Sequence, residues 1–119
     1  MSLLDFHTTW SWVVVVANGV AGTWCLGAHW LAPLRVRHLW WFVVAAEVAI
    51  VVQIVAGVWM LAGQGIDAPE FHVFYGFVML VTVALLYSYR FSIRAWQYLL
   101  YGFGGLFLMG LGIRAMVLG

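Results

Sequence analysis

The sequence predicts an all-α fold: an integral membrane four-helix bundle made of two duplicated helical hairpins, with both termini outside. Three observations carry that expectation. Of 119 residues, 66% are apolar and 8% are charged, and mean hydropathy is +1.05; soluble domains carry about 25% charge. The apolar residues fall in four runs, each near the roughly 20 residues that a bilayer core requires. The arginines gather on one side of those runs. Abundant Trp, Phe and Val exclude a disordered chain. Net charge is +1 without any basic run, so nucleic acid is not an expected partner. Cys25 is the single cysteine, which leaves no disulfide or thiolate metal site within the chain, and a CxxCH haem-attachment motif is absent.

The first run spans 8–30 and is ended by Pro33, Arg35 and Arg37. The second spans 39–62 and is closed by Gly63, Gln64 and Gly65. The third spans 71–89 and the fourth 96–118. Alternating strands of about ten residues, the mark of a transmembrane barrel, are not seen. The first basic residue is Arg35, so the first run lacks a signal peptide's positive start and is expected to remain in the mature protein. Arg35 and Arg37 lie between the first two runs, and Arg90 and Arg94 between the last two. The opposite side holds Asp5, Asp67 and Glu70, with Arg114 inside the last helix. The positive-inside rule places both arginine loops in the cytoplasm and both termini outside the inner (plasma) membrane. One fixed orientation argues against dual topology.

The sequence also repeats. Ser2 to His7 (SLLDFH) matches Asp67 to His72 (DAPEFH) at an offset of 65 residues. Ser2 and Asp67 are N-cap types, each followed three residues later by an acid, Asp5 or Glu70, as in a capping box. Pro69 suits the first helical turn. Trp10, Ser11 and Trp12 align with Tyr75, Gly76 and Phe77. At an offset of 56, Trp40, Met60 and Gly63 align with Trp96, Met116 and Gly119. The expected organisation is one membrane domain, 1–119, built from hairpins 2–63 and 67–119. A parallel repeat of two-helix units puts His7 and His72 at the same depth, near the outer surface. Small residues recur at intervals of four: Ser11, Val15, Gly19, Thr23 and Gly27 on helix one, and Ala45, Ala49, Gln53 and Gly57 on helix two. Such stripes let membrane helices approach closely. The glycines of helix four (102, 104, 105, 110 and 112) scatter around it. They predict close contact on several sides or a flat molecule against the helix.

Few residues can carry chemistry. Neutral imidazole is the usual axial ligand of b-type haem, and two facing helices can each supply one, here His7 and His72. Four positions on lie Ser11 and Gly76, small enough to leave a macrocycle clearance. Trp10, Trp12, Phe74, Tyr75 and Phe77 are expected around it. Arg114, one turn from the outer end of helix four, can pair with a haem propionate. The plainer alternatives are interfacial histidines capping two helix starts and an arginine that snorkels. Glu47 is the acid deepest in the membrane, about 13 Å along helix two from His38 at about 1.5 Å per residue. Thr23, Thr82 and Tyr101 are its expected neighbours. It serves proton handling, quinone contact or helix tying. Gln53 and Asn18 read as glue between helices. His29 and His38 read as solvated or headgroup-contacting residues.

With Phe6-His7 and Phe71-His72 at equivalent helix starts, the chain resembles four-helix haem-carrying membrane modules, such as one half of haem A synthase or a cytochrome b561-type protein. The likeness covers the whole length in topology and these short motifs in sequence. It implies bis-histidine haem b and electron transfer near a quinone pool. Haem A synthase has two such bundles and a glutamate near its haem, whereas Glu47 lies toward the opposite side of the membrane. Cytochrome b561 proteins hold two haems. The chain also resembles small uncharacterised four-helix membrane proteins of high-GC bacteria, a likeness that implies no activity. Small multidrug transporters share the size, but their embedded Glu is in the first helix.

Three functions are therefore compared. The first is a haem protein transferring electrons near quinone. The second is a non-catalytic subunit or assembly factor that meets partner membrane subunits and lipid. The third is a proton-coupled transporter using Glu47.

Overall fold

Helix α1 (Leu3–Trp30) starts at a reciprocal cap. The Asp5 N–H donates to Ser2 Oγ at 3.1 Å, and the Ser2 N–H donates to Asp5 Oδ2 at 3.3 Å. Amides that a helix start leaves free are satisfied in this way. At the other end, Arg35 folds back to satisfy two of the last carbonyls of α1. Its Nε donates to the Ala28 oxygen at 2.6 Å and its Nη2 to the His29 oxygen at 2.7 Å. The computed structural model describes residues 2–92 and 94–118. Gly119, which the repeat pairs with Gly63, lies outside the described residues.

Helix α2 (Arg37–Val58) follows, and its last turn continues as a π-helical turn, Trp59–Gly63. Gly65, at φ 66°, then reverses the chain, a backbone state that glycine adopts without penalty. Helix α3 is Glu70–Tyr89, and helix α4 is Gln97–Leu118 after a short 3-10 turn, Arg94–Trp96. The second capping box does not form. Helix α3 begins at Glu70 with Pro69 as an extended cap residue, and no side chain caps it. Proline disfavours helical backbone at Ala68, so the helix cannot reach back to Asp67.

All four helices are long and apolar enough to cross a membrane. They form an all-helical bundle 48 Å long, with no strand among the described residues. The closest pair is α1 and α4, with α2 packed on α1 and α3 on α4; α2 and α3 touch little. Glycine explains the α1–α4 seam. A Cβ on Gly22 would stand 2.7 Å from the Leu106 backbone nitrogen, and one on Gly105 would stand 2.8 Å from Gly22 Cα. Gly102 and Gly112 face Leu26 and Val15 of α1, whereas Gly104 faces Leu86 of α3. The scattered glycines of α4 thus serve contacts with two different helices.

The four-residue stripe on α1 describes the seam only in part. Val15 and Gly19 lie in it, but Thr23 is exposed and Gly22 takes its place. A strict spacing of four drifts by about 40° per step around a helix of 3.6 residues per turn. By Thr23 the stripe has rotated out of the contact. Asn18, 2% exposed, ties α1 to α2: its Nδ2 donates to the Val14 oxygen at 2.8 Å and reaches the Ala46 oxygen at 3.4 Å. That is the glue expected of a polar side chain between apolar helices.

Candidate functional site

Where α2 and α3 diverge, the bundle encloses a cavity of about 540 Å³. Ligand sites typically fall in the range of about 300–1,000 Å³. His7, near the start of α1, and His72, near the start of α3, both line it. Their ring centroids are 6.1 Å apart, with the planes at 68°. Two helices whose sequences match at an offset of 65 residues thus bring the same residue type to one space.

The histidines are held differently. His72 donates its Nδ1–H to the Ala115 carbonyl oxygen of α4 at 2.8 Å. A carbonyl can only accept, so Nδ1 carries a proton, and in the neutral ring the lone pair is the one on Nε2. His7 is fixed through its backbone: Gln53 Nε2 of α2 donates to the His7 carbonyl oxygen at 2.7 Å. The Nδ1 of His7 and the Oε1 of Gln53 are buried and have no hydrogen-bond partner among the described residues. Gly57, one turn beyond Gln53, makes room for the His7 ring: a Cβ there would stand 3.3 Å from Cε1.

Ser11 and Gly76 line the cavity, as do the aromatic rings of Trp12 and Phe77. A Cβ on Gly76 would meet no described atom within 4 Å, so that wall is open. Trp10 points elsewhere, donating from Nε1 to the Ala49 oxygen at 2.8 Å. Phe74 and Tyr75 pack on each other, with ring centroids 5.6 Å apart, and are not part of the wall. Arg114 is exposed and is not in the lining, although its neighbour Ala115 is. Successive residues turn by about 100° on a helix, so Arg114 projects away from the face that Ala115 presents.

Glu47 lies apart from the histidines, beside a second cavity of about 10 Å³ with Asn18 and Tyr101. Of its three expected neighbours only Tyr101 is there; Thr82 bonds its own helix at Val78, and Thr23 is exposed. His29 packs between Trp30 and Trp96, with centroids at 4.8 and 6.0 Å, and His38 is exposed.

Gln53, Gly57 and the Ala115 carbonyl are parts of the site that sequence reasoning assigned to packing or passed over. The spacing of Gln53 and Gly57 marked them as facing a neighbouring helix, but not which residue they meet. Among the described residues, no group of three or more His, Cys, Asp or Glu is placed to hold a metal ion. His7 and His72 are the two imidazoles in the lining of the large cavity that could hold a metal. This suits a metal whose other positions a macrocycle already fills. The residues present fit a metal-bearing macrocycle that His7 and His72 would hold, with space left for it beside Gly76. No protein-family model, curated protein or solved structure matches the chain.

Proposed function

We propose that the chain is an integral protein of the inner (plasma) membrane that binds haem b between His7 and His72 and transfers electrons near the quinone pool. In this reading it spans the membrane four times, as two duplicated hairpins with both termini outside. The observation that carries it is the pairing of two imidazoles across one cavity of about 540 Å³. The arginine asymmetry supports the orientation. The repeat at an offset of 65 residues supports the duplication, and each hairpin packs within itself, α1 on α2 and α3 on α4.

Each residue has a defined task. His72 presents Nε2 because Ala115 holds its other nitrogen, an arrangement that orients metal-ligating histidines generally. Gln53 anchors the His7 backbone, and Gly57 leaves space for the ring. Ser11 and Gly76 keep the walls clear, and the apolar lining excludes water. When bound, haem supplies one-electron redox chemistry. With His7 and His72 both holding it, that chemistry would be electron transfer.

An optical spectrum of the detergent-purified protein, oxidised in air and then reduced with dithionite, tests the reading. A Soret band with sharp reduced bands in the visible is expected, and replacing either His7 or His72 by Ala removes or converts it. A featureless spectrum from cells supplied with haem, or an unchanged spectrum in both variants, overturns the assignment.

A second reading is favoured by α3. Only Met79 and Leu86 of that helix are buried, while Phe71, Phe74 and Phe77 are exposed. So bare a helix fits a subunit or assembly factor whose α3 meets a partner membrane subunit. Co-purification with a larger complex, from protein without haem bands, supports this reading over the first.

A further inference from the structure

Glu47 has no part in the histidine site, yet its surroundings are built. The small cavity beside it is walled by all four helices, with Asn18 from α1, Leu86 from α3 and Tyr101 from α4. Glu47 Oε1 is buried and has no hydrogen-bond partner among the described residues. Asn18 spends its Nδ2 on the Val14 and Ala46 carbonyls, which leaves its Oδ1 as an acceptor. Tyr101 donates its hydroxyl to the Leu86 carbonyl at 3.0 Å and keeps its own lone pairs. The void of about 10 Å³, walled mostly by apolar residues with Glu47, Asn18 and Tyr101 as its polar ones, is near the lower limit for one water, which typically needs two to four partners. Glu47, Asn18 and Tyr101 supply three.

The two cavities are stacked along the bundle. Val14, Ile50, Met79 and Gly112 form the near wall of the histidine cavity. Asn18 follows Val14 by four residues, Leu108 precedes Gly112 by four, and Glu47 precedes Ile50 by three. Each step is about one helical turn, or roughly 5 Å. One apolar layer therefore separates Glu47 from the near end of that cavity, and the histidines lie about two turns, or roughly 10 Å, beyond it, since His7 precedes Val14 and His72 precedes Met79 by seven residues. A charge that changes there acts on Glu47 with little solvent between to screen it.

We propose that Glu47 is a redox-linked proton site, served by one buried water held with Asn18 and Tyr101. The proposal rests on the haem reading above. When a membrane quinol loses one electron and one proton to become a semiquinone, and the electron enters the group that His7 and His72 would hold, the Glu47 carboxylate takes one proton from water and an O–H bond forms on it. When a one-electron acceptor reoxidises that group, the O–H bond breaks and the proton returns to water. The proton comes from water at the arginine-bearing end: Arg37 lies about 15 Å along α2 from Glu47, against about 16 Å to Val58 and about 24 Å to Gly63, where the π-helical turn that continues the helix ends. Of the other titratable groups, Tyr101 on α4 shares the cavity with Glu47, Cys25 on α1 acts on Tyr101, and His7 and His72 lie beyond the apolar layer. From α3, the cavity wall itself carries only Leu86, while Tyr87 and Arg90 act on Tyr101.

The test is a redox titration of the haem-loaded full chain across a pH series, with infrared difference spectra of the same samples. The midpoint potential is expected to fall as pH rises, approaching about 59 mV per tenfold change in proton activity for one proton per electron. In Glu47→Gln the slope flattens. The reduced-minus-oxidised spectrum gains a carboxylic-acid C=O band that shifts with ¹³C-glutamate. Glu47 and Glu70 are the only glutamates, so labelling with Glu70→Gln assigns the band without touching Glu47. A potential independent of pH, a slope that survives in Glu47→Gln, or a missing C=O band overturns the proposal and leaves the histidine site standing. Absence of haem bands overturns both.

Discussion

His72 gives its Nδ1 proton to the carbonyl oxygen of Ala115 at 2.8 Å, and this bond between α3 and α4 decides which ring nitrogen is free. The tautomer is therefore set by the fold and does not wait for a ligand. Nitrogen NMR of histidine-labelled protein, prepared without haem, is expected to find His72 protonated at Nδ1. A proton on Nε2 instead would contradict the arrangement.

Two glycines of the cavity respond differently to added bulk. In Gly57→Val the first added carbon stands 3.3 Å from His7 Cε1, and the ring has to move. Gly76 has open space at its Cβ position and lines the cavity, so Gly76→Leu is expected to project into that space. Gly57→Val is expected to lose about 1–3 kcal/mol of stability through overpacking and to weaken haem binding. Gly76→Leu keeps the melting temperature and loses haem alone. Thermal melts paired with haem titrations check both.

The α1–α4 seam tolerates almost nothing. Gly22→Ala drives a methyl to 2.7 Å from one backbone atom and 2.8 Å from another. Neither neighbour can swing aside. A loss of about 3 kcal/mol, the upper end for overpacking, is expected in denaturation experiments. Gly19→Ala meets Met109 Sδ at 2.7 Å, part of a flexible side chain, and is expected to lose much less. Equal losses in the two variants would argue against the seam.

Asn18 links α1 to α2 through the Ala46 carbonyl at 3.4 Å. Asn18→Ala is expected to cost about 1 kcal/mol, within the range measured for polar links between membrane helices. Measuring it alongside Glu47→Gln separates helix tying from proton handling, because Glu47→Gln leaves the Asn18 link in place.

Much of the fold was legible because hydrophobicity over about 20 residues is a signal that tertiary contacts do not override. The first run was expected from residue 8, but α1 begins at Leu3, because the Ser2–Asp5 cap lets the helix start before the apolar stretch. The same cap pattern at Asp67 failed because Pro69 blocks it. His7 and His72 were legible as a pair through the repeat, and the structure brings them to one cavity. Gln53 and Gly57 were seen as a packing stripe, which says that another helix is near but not that a histidine is. Arg114 was placed beside the site by its depth alone; depth carries no information about which way around the helix a side chain points. The pairing order of the helices was not legible either. Glycines of α4 serve both α1 and α3, and a scattered pattern does not reveal which neighbour each one meets.

The unequal packing of the helices gives the molecule a spine and a slot. The spine is α1 on α4, backbone against backbone. The slot is the seam between α2 and α3, where exposed Trp12, Val58 and Phe77 edge the large cavity. Stiffness and access are thus assigned to different helices, and spreading the slot breaks few contacts while the spine stays shut. If the proposed function holds, a flat, greasy guest would reach the slot by gliding within the bilayer, without being carried through water.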